Sequence, residues 1–509
     1  MSDTNEGDRR VRFRRWRSRS LIVGAATVAL LASSCGARLS HQQYAQAVRA
    51  GGGGGAAGQG VTPGDNTAAG DATAAGPDAG ATTATTAAGG TSAPGGPGGP
   101  APGGPATPGG GPQPAGQSGA APAAGNGGNV DTGVTADSIT IGNVSTLTGP
   151  VPGLFKGASI GTQAFFAYQN SLGGVFGRKL KLITKDDNLD PGTNDARIKE
   201  LIPQVFGFVG SFSVVDNGGA DSLGKSGVPD AGYSLSRQRS ALANNFSPQP
   251  SPPGWRLGPL NHFKQQFGPD VISKMAYFTL DVQSAKDIAE GQKAAAQSLG
   301  YAFVAGRVIE PNESNFTADV VQMQQKGVKG VMLAGDAATM ARLSASMKSQ
   351  GFSVPFANWG ANAYDLSFIP QSNGGAEGAL LDMQLPMYLG EDAGSVPEVG
   401  LFLQWMKQVA PGQKPDIFAA FSWASARLFV DALQKAGATA KRADVINALK
   451  TFNNYDAHGM VAPAGPGTKT PATCYLIVTV KSGKFVRQDD PANGFRCGDG
   501  DYFRLPGAG

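Results

Sequence analysis

Histidine and cysteine are nearly absent: 509 residues hold three of each. His41, His262 and His458 are scattered along the chain, and with Cys474 and Cys497 they spell out no metal-ligand cluster. A Ser-His-Asp triad in the globular part would have only His262 or His458 to draw on. Both histidines read as structural or solvated, and the expectation is a non-enzyme without cofactor or metal. Charge is sparse too, at 16% of residues, with a formal net of +4. Seven arginines against Asp3, Glu6 and Asp8 in residues 1–34 account for that whole excess, so the remainder is near neutral. No basic face for nucleic acid is implied. The apolar run 21–32 is about a dozen residues, too short to span a bilayer as a stable helix.

What the chain has in abundance is glycine, 75 residues, and proline, 34. Much of both falls between residues 51 and 128, where Gly, Ala, Pro and Thr run almost without charge. Such a segment buries too little apolar surface to offset its ordering entropy, and a disordered tether is predicted. As a coil its ~80 residues would span about 50 Å root-mean-square. The G-x-G-x-x-G match inside GGGGGAAGQG carries no weight in low-complexity sequence. About 375 residues remain to fold, the size of two lobes rather than one domain.

In front of the tether, the arginines and the apolar run form an export signal that ends Leu31-Ala32-Ser33-Ser34-Cys35. Small residues before a cysteine resemble a bacterial lipobox, although Ala32 stands where leucine is usual. That resemblance implies cleavage after residue 34 and lipidation of Cys35; ordinary signal cleavage or an uncleaved anchor are the alternatives. In an exported chain, Cys474 and Cys497 are an even pair, expected as a disulfide adding roughly 3 kcal/mol in the chain-entropy model. Two unpaired buried thiols are the alternative.

The folded part opens on SITIGNVSTLTGP from Ser138, a helical run, then NSLGGVFGRKLKLITKDDNLDP. Ile139, Ile141 and Val144 are β-formers ending at Ser145, Thr146, Thr148 and Gly149. Apolar residues then recur at helical spacing over 157–168, and Gly173, Gly174 and Gly177 punctuate the return into 180–183. This is a βαβ unit, hence a parallel sheet, with ligand sites expected at the carboxyl ends of its strands. The pattern continues with strands at 205–209, 228–233, 274–279, 303–309, 328–333 and 355–359, and helices at 216–225, 285–299, 316–326, 337–350, 402–409 and 418–435. A hairpin is expected around Ser482-Gly483, from 474–480 and 484–487. The Pro-rich run 246–259 reads as a crossing into a second lobe, with a return near 380–386.

One motif misleads. Residues 219–226, GADSLGKS, satisfy the phosphate-loop pattern, but a strand follows where the mechanism needs a helix. A helix end with Gly224 as its cap is the better reading. Asp186 and Asp187 are adjacent on an extended chain and point apart, which argues against paired acid–base work.

The LTGP loop (147–150), the N-x-x-GG-x-x-G-R turn (170–178) and the DD-x-x-DP run (186–191) resemble those of the type I periplasmic solute-binding proteins, in the leucine/isoleucine/valine-binding branch. The resemblance extends over about 134–503. It implies an α/β fold of two doubly wound parallel-sheet lobes joined by a multi-crossing hinge. The expected division is a signal peptide at 1–34, a tether at 35–130, a first lobe at 131–256 and 386–470, and a second at 257–385. Residues 471–509 form a C-terminal hairpin segment at the hinge. Ligand capture by hinge closure is implied, with delivery to an ABC permease by a protein held to the membrane through a lipid anchor.

Site residues follow from the same resemblance. Ser213, Leu235 and Ser236 match the groups that hold a ligand carboxylate. Asn362 stands where the amino-acid binders carry an acidic residue for the amine, and Ser284 and Asp336 replace aromatic positions. Other strand-end candidates are Thr148, Phe155, Ser211, Ser234 and Gln283. Phe212, Tyr233, Trp359 and Tyr364 are aromatics expected near the cleft, for stacking or for core packing. Each serine also suits a turn satisfying its own backbone, and Asp336 a helix N-cap. The departures at Asn362, Ser284 and Asp336 make an amide, apolar or aromatic ligand as fitting as an amino acid. A sensor of the same fold is the first alternative function. An exported α/β hydrolase and an adhesive role of the stalk are the others.

Overall fold

The computed structural model describes residues 125–149, 154–488 and 494–507. The export signal, Cys35 and the tether up to residue 124 lie outside the described residues. Among the described residues no helix is long and apolar enough to cross a membrane, and no group of His, Cys, Asp or Glu is placed to hold a metal ion.

The first sheet holds β1 (Ser138–Ser145), β2 (Lys179–Asp186), β3 (Gly207–Val209), β4 (Asp230–Ala231) and β5 (Asn245–Phe246). Its order is β2-β1-β3-β4-β5, and every pairing is parallel. The helices that link these strands are α1 (Lys156–Ser171), α2 (Pro191–Leu201), α3 (Asn217–Ser226) and the short α4 (Arg237–Ser240). A crossing follows, with β6 (Gly254–Arg256) and α5 (Gly258–Ile272).

The second sheet is built by β7 (Met275–Leu280), β8 (Phe303–Ala305), β9 (Val308–Ile309), β10 (Gly330–Ala334), β11 (Phe356–Asn358) and β12 (Leu380–Met383). Its helices are α6 (Gln283–Ser298), α7 (Thr317–Gln325), α8 (Ala337–Ser349) and α9 (Phe368–Gln371). The chain then supplies α10 (Pro397–Val409), α11 (Ile417–Ala436) and α12 (Arg442–Leu449). It ends with β13 (Leu476–Lys481), β14 (Lys484–Arg487) and β15 (Tyr502–Arg504). The sheet order is β14-β13-β12-β11-β10-β7-β8, with β9 beside β7. Only β12–β13 and β13–β14 in this sheet are antiparallel. Two parallel-sheet lobes result, as the alternation of elements predicts.

The motifs that carry the resemblance have structural reasons here. Asn170 clamps the start of β2 both ways: its Nδ2 donates to Leu180 O at 2.9 Å and its Oδ1 accepts from Leu180 N at 2.8 Å. Gly174 takes φ +83°, and a Cβ there would sit 2.0 Å from Arg178 O. Arg178 is buried and donates to Thr135 O, Ala438 O and Gly128 O at 2.8, 2.7 and 2.9 Å, tying three distant segments together.

Helix α11 lies against α1 so closely that a Cβ on Gly161 would sit 2.2 Å from Ala419 O. Gly161→Ala is therefore expected to force the helices apart and cost about 1–3 kcal/mol, read as a lowered midpoint in urea. An unchanged midpoint would mean that the contact yields freely.

The hinge is stitched across its crossings. Arg256 on β6 pairs with Asp382 on β12, and its Nη1 donates to Gln384 Oε1 at 3.1 Å. Gln384 in turn donates to Ala472 O at 3.1 Å and accepts at its backbone from Ala462 N at 2.8 Å. Gln249 donates to Ala462 O. Cys474 and Cys497 are joined in a disulfide, and the tail beyond it pairs β15 with β6.

Several boundaries differ from expectation. The predicted strand 303–309 is two strands, parted at Gly306, which takes φ +112° where a Cβ would sit 1.9 Å from Tyr277 O. Helix α3 runs through the phosphate-loop pattern to Ser226, and Gly227 at φ +64° caps it, not Gly224. The Pro-rich crossing is interrupted by β6, and Pro259 sits in the first turn of α5, where its missing N–H costs nothing.

Candidate ligand-binding site

The loop after β4, Tyr233 to Ser236, is fixed from below. The Asp216 carboxylate, at the start of α3, accepts from Leu235 N at 2.8 Å and Ser236 N at 2.9 Å. Burial raises the Asp216 pKa, while the Arg239 guanidinium opposes that rise. Ser236 caps α4, accepting from Arg239 N at 3.2 Å. Arg239 is buried and bidentate to Asp230 of β4, at 2.9 and 2.8 Å, and Asn245 adds a 2.7 Å bond to the same carboxylate.

This loop faces the second lobe across a cavity of about 50 Å³. Tyr233, Ser234, Leu235 and Ser236 line one side, and Ser284, Asp287 and Ile288 in the first turns of α6 line the other. Trp255 of the crossing closes one wall. Arg237 bridges the lobes, 2.6 Å from Glu290 and 3.7 Å from Asp287. Ser234 Oγ and Trp255 Nε1 are buried without a hydrogen-bond partner. Both residues line the cavity, and a carbonyl or carboxylate oxygen that reached these buried donors would satisfy them.

An aromatic wall stands beside the loop. Phe212 stacks on Tyr233 at 5.5 Å and 11°, and Tyr233 stacks on Phe421 at 5.0 Å. Phe155 packs on Phe212 at 5.8 Å and edge-on to Phe418 at 4.6 Å. Burial raises the Tyr233 phenol above its ordinary range, so it stays neutral.

The other predicted residues are placed as follows. Ser211 accepts from Val144 N at 3.1 Å, and Ser213 accepts from Val215 N at 3.1 Å; both are fully buried at the end of β3. Thr148 donates to Asp186 through its hydroxyl and its amide. Burial works to raise the Asp186 pKa, but the bonds from Thr148, Asn188 and Leu147 hold it below the usual range. Asp187 turns the other way, to Asn194 at 2.9 Å. Gln283 is exposed and bonds Asp287. Asp336 caps α8, taking Thr339 N and Oγ1 at 2.9 Å each. Asn362 donates to Gly335 O at 2.7 Å. Trp359 is buried with Nε1 unpartnered. Tyr364 is buried against Tyr388 and Phe485, at 5.0 and 4.8 Å, with its hydroxyl on Glu391.

Sequence reasoning did not single out Arg237, Glu290, Phe418, Phe421 or Asp416. Phe418 and Phe421 carry the i, i+3 spacing of any core-facing helix, which hides their place at the strand ends. Asp416 caps α11, accepting from Ala419 N at 2.7 Å. Burial, and then the nearby Asp365 carboxylate, push its pKa up to about 6, against the bonds from Ala419 and Phe418.

A sequence model of the family described as periplasmic binding protein matches residues 138–484 of the 509. No curated protein matches the chain. Among solved structures, the fatty acid ABC transporter substrate-binding protein of Thermomonospora curvata is 19% identical at a TM-score of 0.60, over 74% of this chain and 95% of that one. The branched-chain amino acid transporter substrate-binding protein of Streptococcus pneumoniae, solved in complex with isoleucine, is 16% identical at 0.57, over 71% and 99%. A putative branched-chain amino acid ABC transporter protein from Rhodospirillum rubrum is 19% identical at 0.54, over 69% and 99%. At these identities the likeness is one of fold.

Proposed function

The chain belongs to the periplasmic binding protein family, and from that premise we propose that it captures a small molecule between its lobes for an ABC importer. The observation that carries this reading is the pair of unpartnered donors, Ser234 Oγ and Trp255 Nε1, at a cavity walled by both lobes. A ligand oxygen there would gain bonds only when the lobes are together, which is how a ligand biases an open–closed equilibrium. Binding, not catalysis, is the proposed work. The proposed lobe division is 131–256 with 386–470, and 257–385, with 471–509 at the hinge. Lipidation at Cys35 and a tether through residue 130 would hold the domain at the outer face of the membrane.

The proposed ligand is apolar or aromatic with one oxygen-bearing polar end. Asn362 and Asp336, the candidates for holding an α-amine, are both engaged within the second lobe. Tyr233, which lines the cavity, is backed by the buried rings of Phe212 and Phe421, and the Thermomonospora curvata relative is the substrate-binding protein of a fatty acid ABC transporter. A second reading, an amine-bearing ligand, rests on Asp416 beside Asp365, where a cation would relieve two neighbouring carboxylates.

A thermal-shift screen with amino acids, amides, amines, short peptides, sugars and aromatic or aliphatic acids tests the readings. Binding to the native state raises the melting temperature by mass action. A shift with apolar acids or amides alone is expected. A shift with leucine-like amino acids or amines would instead favour the carboxylate pair as the recognising group. No shift with any compound would point to a ligand outside the library or to a domain that works by contact with another protein.

A further inference from the structure

The interlobe cavity is not the largest in the molecule. A chamber of about 570 Å³ shares Ser234, Arg237, Ser251, Pro252 and Pro253 with it, and extends from there toward the C-terminal tail. That volume lies within the ~300–1,000 Å³ typical of small-molecule sites. Ala241, Pro250, Pro252, Pro253, Leu505 and Pro506 give the chamber a mainly apolar wall.

The charged groups at its edge are already neutralised. Arg237 is taken by Glu290 and Asp287. The Lys469 ammonium donates to three backbone carbonyls, of Ser240, Leu242 and Asn245, and burial lowers its pKa. The polar side chains are mostly spent too. Asn245 bonds Asp230, Gln249 bonds Ala462 O, and Ser247 accepts from Gln249 N at 3.1 Å. Ser234, at the junction of the two cavities, is the hydroxyl left without a partner. The chamber behind thus holds polar groups whose bonds are largely made internally, and its apolar residues suit hydrocarbon.

We propose that the chamber receives the tail of an elongated amphipathic ligand whose oxygen-bearing head sits at Ser234 and Trp255. This rests on the cleft reading above and names its substrate class, a straight-chain carboxylic acid or a molecule of like shape. The C-terminal tail is then part of the binding wall: Leu505 N donates to Pro253 O at 3.1 Å and Tyr502 Oη to Pro252 O at 2.6 Å, which holds Leu505 and Pro506 over the chamber. Its floor at the end of α4 is Ala241, an exposed residue that a larger side chain can replace without disturbing the core.

Calorimetric titration of the full chain with n-alkanoic acids from butanoate to dodecanoate tests this. Each added methylene is expected to tighten binding about three- to fourfold until the chamber is filled. Ala241→Trp, and a chain ending at Arg504, which keeps β15 but removes Leu505 and Pro506, should each flatten that slope. Ser234→Ala should weaken every member by the same factor. Melting curves of each variant control for folding. A slope that survives both wall variants would overturn the proposal, as would the absence of any slope in the wild type. Failure of all the acids to bind would overturn it too, while a thermal-shift response to another compound class would leave the two-lobed capture reading standing.

Discussion

Arg239→Ala should lower the unfolding free energy by about 3–5 kcal/mol, the range seen when one partner of a buried ion pair is removed. Arg239 and Asp230 are 1% and 0% exposed, and the guanidinium is bidentate to the carboxylate. Without it, Asp230 keeps only its bond from Asn245, and Asp216 loses the nearby positive charge that opposes its protonation. Asp216 is buried, so its carboxylate would be pushed further toward taking up a proton. The loss should therefore be larger at pH 8 than at pH 5, and denaturant midpoints of wild type and variant at both values measure it. Because Asp216 holds the amides of Leu235 and Ser236, ligand affinity should fall along with stability. A double change, Arg239→Met with Asp230→Leu, should recover much of the stability by removing both charges. A loss under about 1 kcal/mol, independent of pH, would show that water replaces the guanidinium.

The second large effect is a pH dependence at Asp416. Its pKa is raised to about 6 from 3.8, first by burial and then by Asp365. A raised folded-state pKa means that the native chain holds a proton which the unfolded chain releases between those values. Stability from this group is full below about pH 4 and is lost as pH rises through 6. The shift corresponds to at most about 3 kcal/mol, and solvent reaching the half-buried carboxylate reduces that figure. Asp416→Asn keeps an acceptor for Ala419 N and removes the titration. The variant should match wild type at pH 4 and exceed it at pH 7.5, seen as a melting-temperature difference that opens with pH. A constant difference would mean that a cation compensates the carboxylate in the native chain. Other carboxylates titrate nearby, so the comparison between the two proteins, not the wild-type curve alone, carries the result.

How far the sequence foretold this molecule depends on the range of the interactions involved. The βαβ opening was legible because Ile139, Ile141 and Val144 alternate into a buried strand and the glycine turn that follows is local chemistry. The second-lobe strands were legible for the same reason, as short apolar runs bounded by turn residues. Helix α12 went unread because Val445, Ala448 and Leu449 form too short an apolar stripe to stand out. Helix α5 was legible only as a start near His262, without bounds, because Gly258-Pro259 at its start and Gly268-Pro269 inside it spell a loop. The loop after β4 could be named as a site from its position at a strand end. Of its surroundings only Ser284 could be named: Trp255, Arg237 with Glu290, and the tail at 505–507 are brought together only by the crossings. Asp416 was hidden as well, since the charge that raises its pKa, Asp365, is remote in sequence.

The chain order of the two lobes also bears on export. The first lobe's opening helix, α1, needs α11 to cover it, and the second lobe's strand β12 needs β13. The covering pieces come from the last quarter of the polypeptide in both cases, and the disulfide that fastens the tail forms later still in chain order. Neither core can close while only the earlier part of the chain has emerged from the ribosome. A chain of such high contact order collapses slowly. On the proposed export route that delay would keep the chain threadable through a translocation pore, with the fold completed on the far side of the membrane.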